Sequence, residues 1–174
     1  IRGPGPNIVS MAASEGRFFI GTTNGIFERT PEGWQPLVSG RAWWVLVAHA
    51  GRLFAQDGAK KLYEIEDGVL KPLLTEHGPG HELFTHAGRL YAMPSGAALF
   101  ELREGVWERR IQEAGHIRNR VAHGDELHFN TEHGLYRAKG GDWRHINDGV
   151  GWLNEFFERG GKRFATTWRG VYEI

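Results

Sequence analysis

Short apolar bursts separated by turn-forming residues run the length of this chain. In one stretch Trp44-Val45-Leu46-Val47-Ala48, Arg52-Leu53-Phe54-Ala55, Lys61-Leu62-Tyr63-Glu64-Ile65 and Val69-Leu70-Lys71-Pro72-Leu73 follow one another. Between them stand His49-Ala50-Gly51, Gln56-Asp57-Gly58-Ala59 and Glu66-Asp67-Gly68. Branched and aromatic runs punctuated in this way predict short strands joined by tight turns. The apolar positions are consecutive rather than alternating, which suits a sheet covered on both faces. Glycine interrupts almost every ten-residue window and costs about 1 kcal/mol inside a helix, so no long helix competes.

The four-strand pattern recurs. Gly16-Arg17-Phe18-Phe19 leads into Gly25-Ile26-Phe27-Glu28, and Gly51-Arg52-Leu53-Phe54 into Lys61-Leu62-Tyr63-Glu64. Gly88-Arg89-Leu90-Tyr91 leads into Ala98-Leu99-Phe100-Glu101, and Asp125-Glu126-Leu127-His128 into Gly134-Leu135-Tyr136-Arg137. Gly161-Lys162-Arg163-Phe164 leads into Gly170-Val171-Tyr172-Glu173. The openings of these phrases lie 35, 37, 37 and 36 residues apart. Four strands, A to D, in about 36 residues make a four-stranded antiparallel meander, the blade of a β-propeller. The expected fold is therefore all-β: a single domain over 1–174, with five blades at about 8–42, 43–79, 80–116, 117–152 and 153–174. A β-solenoid also repeats, but its coils are shorter and lack four hairpin-linked strands.

The fifth unit stops at Tyr172-Glu173-Ile174, the end of strand C, so the last blade is expected to lack its D strand. Ile1–Pro6 aligns with the loop after strand D (compare His77-Gly78-Pro79-Gly80) rather than with the strand. A three-stranded blade, a closing strand upstream of Ile1 and a larger ring all fit. Five blades with a defective last one is the favoured reading.

Gly134-Leu135-Tyr136-Arg137 followed by Gly140-Gly141-Asp142-Trp143 resembles the Asp-box repeat of sialidase-like and photosystem-assembly-factor-like propellers. There a strand precedes a Ser/Thr-x-Asp-x-Gly-x-x-Trp turn. Thr30-Pro31-Glu32-Gly33-Trp34, Glu66-Asp67-Gly68-Val69-Leu70 and Arg103-Glu104-Gly105-Val106-Trp107 are degenerate copies that keep the Gly and an apolar or Trp position. The resemblance implies the propeller and no activity, because the arginine cluster, tyrosine nucleophile and acid of sialidases have no residue-by-residue counterpart. Trp34, Trp107 and Trp143 share one column of the repeat, as do Phe27, Tyr63, Phe100, Tyr136 and Tyr172, and both columns are expected to pack between blades.

In a repeat protein, matching positions build the scaffold and differing positions are free for specific contacts. The start of strand A differs most: Arg41-Ala42-Trp43-Trp44-Val45, Gly80-His81-Glu82, His116-Ile117-Arg118-Asn119-Arg120 and Gly151-Trp152-Leu153-Asn154-Glu155. Trp44, His81, Arg118 and Asn154 fall in one column, and Val45, Glu82, Asn119 and Glu155 in the next. Strand A is innermost in a blade, so these residues are expected on one funnel-shaped face. The candidate binding set is Trp43, Trp44, His81, Glu82, His116, Arg118, Asn119, Arg120, Trp152, Asn154 and Glu155. Flat aromatic surface with a few polar groups suits a small ligand, glycan or peptide. The same positions also form the wet, tolerant rim of any propeller. Asn24, Lys60, Ser95, His133 and Trp168, in the B–C turns, would form an outer wall.

Composition narrows the function classes. Lys plus Arg is 21 and Asp plus Glu is 21, so no global field draws nucleic acid, which is not an expected partner. Cysteine is absent, which removes disulfides, thiolate metal sites and a cysteine nucleophile. No apolar run approaches the roughly 18 residues of a membrane span, so no membrane insertion is expected. His49, His86 and His123 share a column at the A–B turns, with Ser14 and Arg159 in the other units. Three imidazoles can hold Zn²⁺, but duplication also copies turn residues and Arg159 repels a cation, so no metal and no cofactor are expected. Glu82 and Glu155, with His81 as proton shuttle, are the best acid–base candidates, and no catalytic residue is assigned. The expected function is a non-enzymatic binding module for a small ligand, glycan or peptide. The alternatives are a small hydrolase or lyase using Glu82 and Glu155, or a scaffold docking another protein.

Overall fold

The structure is a computed structural model that describes residues 7–75, 82–94, 98–111, 117–132, 134–147, 153–167 and 170–173. Each apolar burst is a strand. The first sheet runs β1 (Ile8–Ser14), β2 (Arg17–Thr22), β3 (Gly25–Thr30), β4 (Gly33–Ser39) in sequence order. The second runs β5 (Trp43–His49), β6 (Arg52–Asp57), β7 (Leu62–Glu66), β8 (Val69–Leu73). The third holds β9 (Glu82–His86), β10 (Arg89–Met93), β11 (Leu99–Arg103) and β12 (Val106–Ile111). The fourth holds β13 (Ile117–His123), β14 (Glu126–Thr131), β15 (Gly134–Lys139) and β16 (Asp142–Asn147). The fifth has three strands, β17 (Leu153–Arg159), β18 (Lys162–Thr167) and β19 (Gly170–Glu173). These five antiparallel meanders, the last one strand short, match the five expected repeats. Ile1–Pro6, whose alignment bears on closure, lies outside the described residues.

The hairpins owe their register to turn chemistry. Ala50 and Gly51, between β5 and β6, have φ of 48° and 74°, and Glu15-Gly16 and Ala87-Gly88 repeat this geometry. Two consecutive positive φ values make a type I′ turn, whose twist matches that of paired strands. Glycine takes the second position because a side chain is most strained there.

The chain divides into two compact units, Ile1–Ser95 and Gly96–Ile174. In the first, β1 lies against β5, and β5 against β9. The second strands are covered on both faces: β6 is buried from Leu53 to Asp57, whereas the outlying β8 is largely exposed. The core gathers Phe19, Ile26, Trp43, Leu46, Leu53 and Tyr63. Ser10 Oγ donates to the Trp43 carbonyl at 3.2 Å, joining the first two sheets. Gly21 lies at that joint, where a Cβ would stand 2.4 Å from Ser10 Oγ and 2.9 Å from the Trp43 oxygen. In the second unit β13 lies against β17, and every residue of β14 is buried. Leu127, Phe129, Leu135 and Ala138 form the heart of the fourth sheet.

Candidate functional site

Four of the first strands carry an irregularity at the same place. In β1 the pairing steps from Ile8↔Thr22 to Ser10↔Gly21, leaving Val9 over. In β5 it steps from Trp43↔Asp57 to Val45↔Gln56, leaving Trp44. Arg118 is left over in β13 and Asn154 in β17. A β-bulge of this kind frees one residue from the ladder and re-aims its side chain. The variable column Trp44, Arg118, Asn154 is thus a column of bulge residues. His81, at the matching position of the third repeat, lies outside the described residues, as do His116 and Trp152.

The second sheet shows what the bulge does. Trp43 is fully buried, edge-to-face against Tyr63 with centroids 5.6 Å apart. It belongs to the core and leaves the candidate binding set, because successive side chains of a strand point to opposite faces and the Trp43 face is the packed one. Trp44 is 53% exposed. Its indole nitrogen stands 3.2 Å from where a Cβ on Gly58 would be, so the ring rests on the β6–β7 turn. That turn is tied down. The Gly58 N–H donates to the Ala42 carbonyl at 3.0 Å, and Asp57 Oδ1 accepts from the Ala59 and Lys61 N–H groups at 2.9 Å. Arg41 donates to Asp57 Oδ2 at 3.2 Å and to the Tyr63 hydroxyl at 3.1 Å. Thr22, Thr131 and Thr167 stand where Asp57 does and close their own turns, each donating to a glycine carbonyl. The second repeat therefore has a buried carboxyl group at this position, beside a braced, exposed indole.

The other candidates lie on the first strands of the later sheets. Glu82 opens β9 opposite Met93 and is half-buried. Arg120 pairs with Phe129 and is also half-buried. Glu155 is exposed, and its N–H donates to Thr166 Oγ1 at 3.1 Å. Arg118, Asn119 and Asn154 lie on their strands, but their side chains are outside the described residues. Asn24 and Lys60 sit in B–C turns as expected, whereas Ser95, His133 and Trp168 are outside the described residues. Of the histidine column, His49 is less basic than usual through burial and the neighbouring Arg52 charge. His123 Nε2 stands 2.9 Å from Glu158 Oε2. Among the described residues no group of three or more metal-binding side chains is assembled.

Sequence reasoning missed a second cluster, in the unit Gly96–Ile174. Elsewhere the repeat carries a basic residue at the start of strand B and a glutamate in strand C. Arg17 binds Glu28 through two nitrogens at 2.7 and 3.0 Å, and Arg52 binds Glu64 at 2.6 and 2.7 Å. These pairs hold both carboxyls below the usual range. The fourth repeat reverses the polarity, with Glu126 on β14 and Arg137 on β15. The signal was in the phrases themselves, which read Gly-Arg and Leu-Tyr-Glu in the second repeat but Asp-Glu and Leu-Tyr-Arg in the fourth.

Glu126 is 1% exposed and accepts from Arg137, from Lys139 at 3.0 Å and from Arg163 on β18. Burial pushes its carboxyl up, but the Arg137, Arg163 and Lys139 hydrogen bonds outweigh this and hold it at about 2. His128, 3% exposed, stands where the first two repeats have Phe19 and Phe54. Burial drives its imidazole down to about 4, against the pull of Glu126 and with help from Arg137 and Arg163. An unfolded chain therefore takes up a proton between pH 6.5 and 4 that the folded chain refuses. Stability is flat above that window and falls as pH drops through it, by up to about 3 kcal/mol. His128→Phe is expected to remove most of this slope, leaving the smaller share that the less basic His49 contributes. Urea midpoints at pH 7.5 and 4.5 check it, and parallel pH profiles for the two proteins would refute the assignment.

No protein-family model and no curated protein matches the chain. Solved structures do. The extracellular domain of the putative one component system BT4673 from B. thetaiotaomicron superposes with a TM-score of 0.60 at 12% identity, over 95% of this chain and 26% of that one. PorZ, a bacterial surface component of the type-IX secretion system of Porphyromonas gingivalis, gives 0.54 at 12% identity, over 93% of this chain and 25% of that one. Human WBSCR16 gives 0.57 at 8% identity, over 96% of this chain and 62% of that one. Five sequential meanders and these superpositions agree. The fold is a β-propeller. Each sheet is a blade, and the chain spans about a quarter of the length of the first two matches. At these identities the likeness concerns fold, so function rests on this chain's own side chains.

Proposed function

We propose that this propeller is a non-enzymatic recognition module that binds a small ligand, glycan or peptide on the face where strand A begins, with Trp44 as its stacking platform. The reading rests on one observation: a half-exposed indole on a β-bulge, seated on a turn whose buried Asp57 is held by Arg41 and Tyr63. Nothing in the packing of the second blade needs that ring in water. A rigid aromatic platform loses little conformational freedom on binding and offers apolar area beside polar groups. Arg41 and the half-buried Glu82, on the neighbouring β9, supply charge in the same unit. The blades are read as degenerate Asp-box repeats on the strength of the glycine turn and the Trp143 that follows it. That likeness supports the scaffold and carries no chemistry.

Glycan and peptide arrays probed with the wild-type protein and with Trp44→Ala test the reading. A bound ligand is expected to lose about tenfold or more in affinity, the scale of an aromatic anchor. Because Trp44 is outside the core, the thermal midpoint should stay within about 2 °C. Unchanged array signals in a folded Trp44→Ala protein would sink the proposal.

A further inference from the structure

The polarity reversal in the fourth blade leaves positive charge that the fold does not use. A cavity of about 520 Å³ opens between β14–β16 and β18–β19, with Arg137 and Arg144 on one wall and Lys162 and Arg163 on the other. Glu173 is engaged by Lys162 at 3.0 Å. Glu126 is shared by Arg137, Arg163 and Lys139, so one carboxylate meets three cations. Arg144 is exposed and has no carboxylate partner among the described residues. The buried Nε of Arg137 has no hydrogen-bond acceptor there either.

The strand register sharpens the point. Arg137 and Arg144 are directly opposite each other across β15–β16. Like charges at facing positions are destabilising. The corresponding pair is Glu28↔Gln35 in the first blade, Glu64↔Lys71 in the second and Glu101↔Glu108 in the third, where Arg110 bridges the two carboxylates; none of these places two cations together. Blade formation therefore does not call for an arginine pair. Two guanidinium groups with an ammonium group opposite match a tetrahedral oxyanion, which arginine grips through paired N–H donors. Glu126 acts as a positioning residue, fixing Arg137 and Arg163 from beneath with its charge already saturated. Asp142 beside Arg144, and Asp125 and Glu158 near Arg163, temper the field.

We infer that the cleft between the fourth and fifth blades binds a dianionic oxyanion, a phosphate or sulfate group carried by a small molecule. The volume is several times that of the anion alone, which leaves room for the moiety that bears it. This site is separate from Trp44 and does not rest on the recognition reading above.

Calorimetric titration of the full chain with inorganic phosphate, phenyl phosphate and phenyl sulfate tests it, against sodium chloride at matched ionic strength. Saturable binding of an ester is expected, tighter than inorganic phosphate. Arg144→Gln removes an exposed guanidinium with no hydrogen bond or ion pair among the described residues and is expected to weaken binding about tenfold without shifting the thermal midpoint downward. Trp44→Ala should bind the esters unchanged. Heats that match the chloride control, or an Arg144→Gln protein that binds as well as wild type, would overturn the site. Capture only by anionic vesicles, with no soluble ester bound, would overturn its small-molecule form.

Discussion

Trp43→Ala is expected to destabilise the unit Ile1–Ser95 by about 3–5 kcal/mol, the range for deleting a large buried aromatic. The ring is fully buried among Phe19, Ile26 and Leu46, and the residue's carbonyl receives the Ser10 hydroxyl that ties the first two blades. Truncation opens a cavity at that joint, and backbone already in van der Waals contact at Gly21 cannot collapse into it. Trp43→Phe should be far milder. The indole N–H is buried without an acceptor among the described residues, and an orphaned donor costs about 1–3 kcal/mol, so losing it offsets part of the lost packing. Urea unfolding of both variants checks this. A Trp43→Ala loss below about 1 kcal/mol would contradict the core placement.

Glu126→Gln is expected to cost about 2–4 kcal/mol at pH 7, below the full range for breaking a buried ion pair because its cations are partly solvated. Neutralising the carboxylate leaves Arg137, Lys139 and Arg163 facing one another around a nearly dry position. Two conditions should shrink the difference. High salt screens the cations, narrowing the gap between variant and wild type. Acid does the same. The folded carboxyl is held at about 2, so its contribution is complete above about pH 4.5 and disappears as pH falls towards 2. Melting curves at pH 7 in 0.05 and 1 M salt, with a second series at pH 3, measure both effects. A gap independent of salt would mean that packing and not charge is responsible.

Much of this architecture was readable along the chain. Strand β8 spans Val69–Leu73 as the apolar run indicated, and the expected blade starts at Ile8, Trp43, Ile117 and Leu153 are first residues of strands. Tight hairpins leave the chain little choice: a glycine in or beside each turn and a burst of branched or aromatic residues on either side specify a meander through local geometry. The column at the start of strand A was also visible, because repetition makes departures conspicuous. Its cause was not. Trp43 and Trp44 are adjacent and chemically identical, yet one is core and the other half-exposed, because neighbouring side chains of a strand face opposite ways and the sequence does not say which of the two is covered.

Sequence alone determined the number of blades, the strand order within each and the positions freed from the scaffold, since all three follow from turn chemistry and a repeat of about 36 residues. Tertiary structure decided which of the two neighbouring tryptophans is buried, that Asp57 sits in the turn beneath Trp44, and that Arg163 of the fifth blade reaches the carboxylate of the fourth. Those outcomes depend on packing between blades, where residues far apart in the chain meet. No local propensity encodes the side-chain directions, desolvation and charge sharing that result.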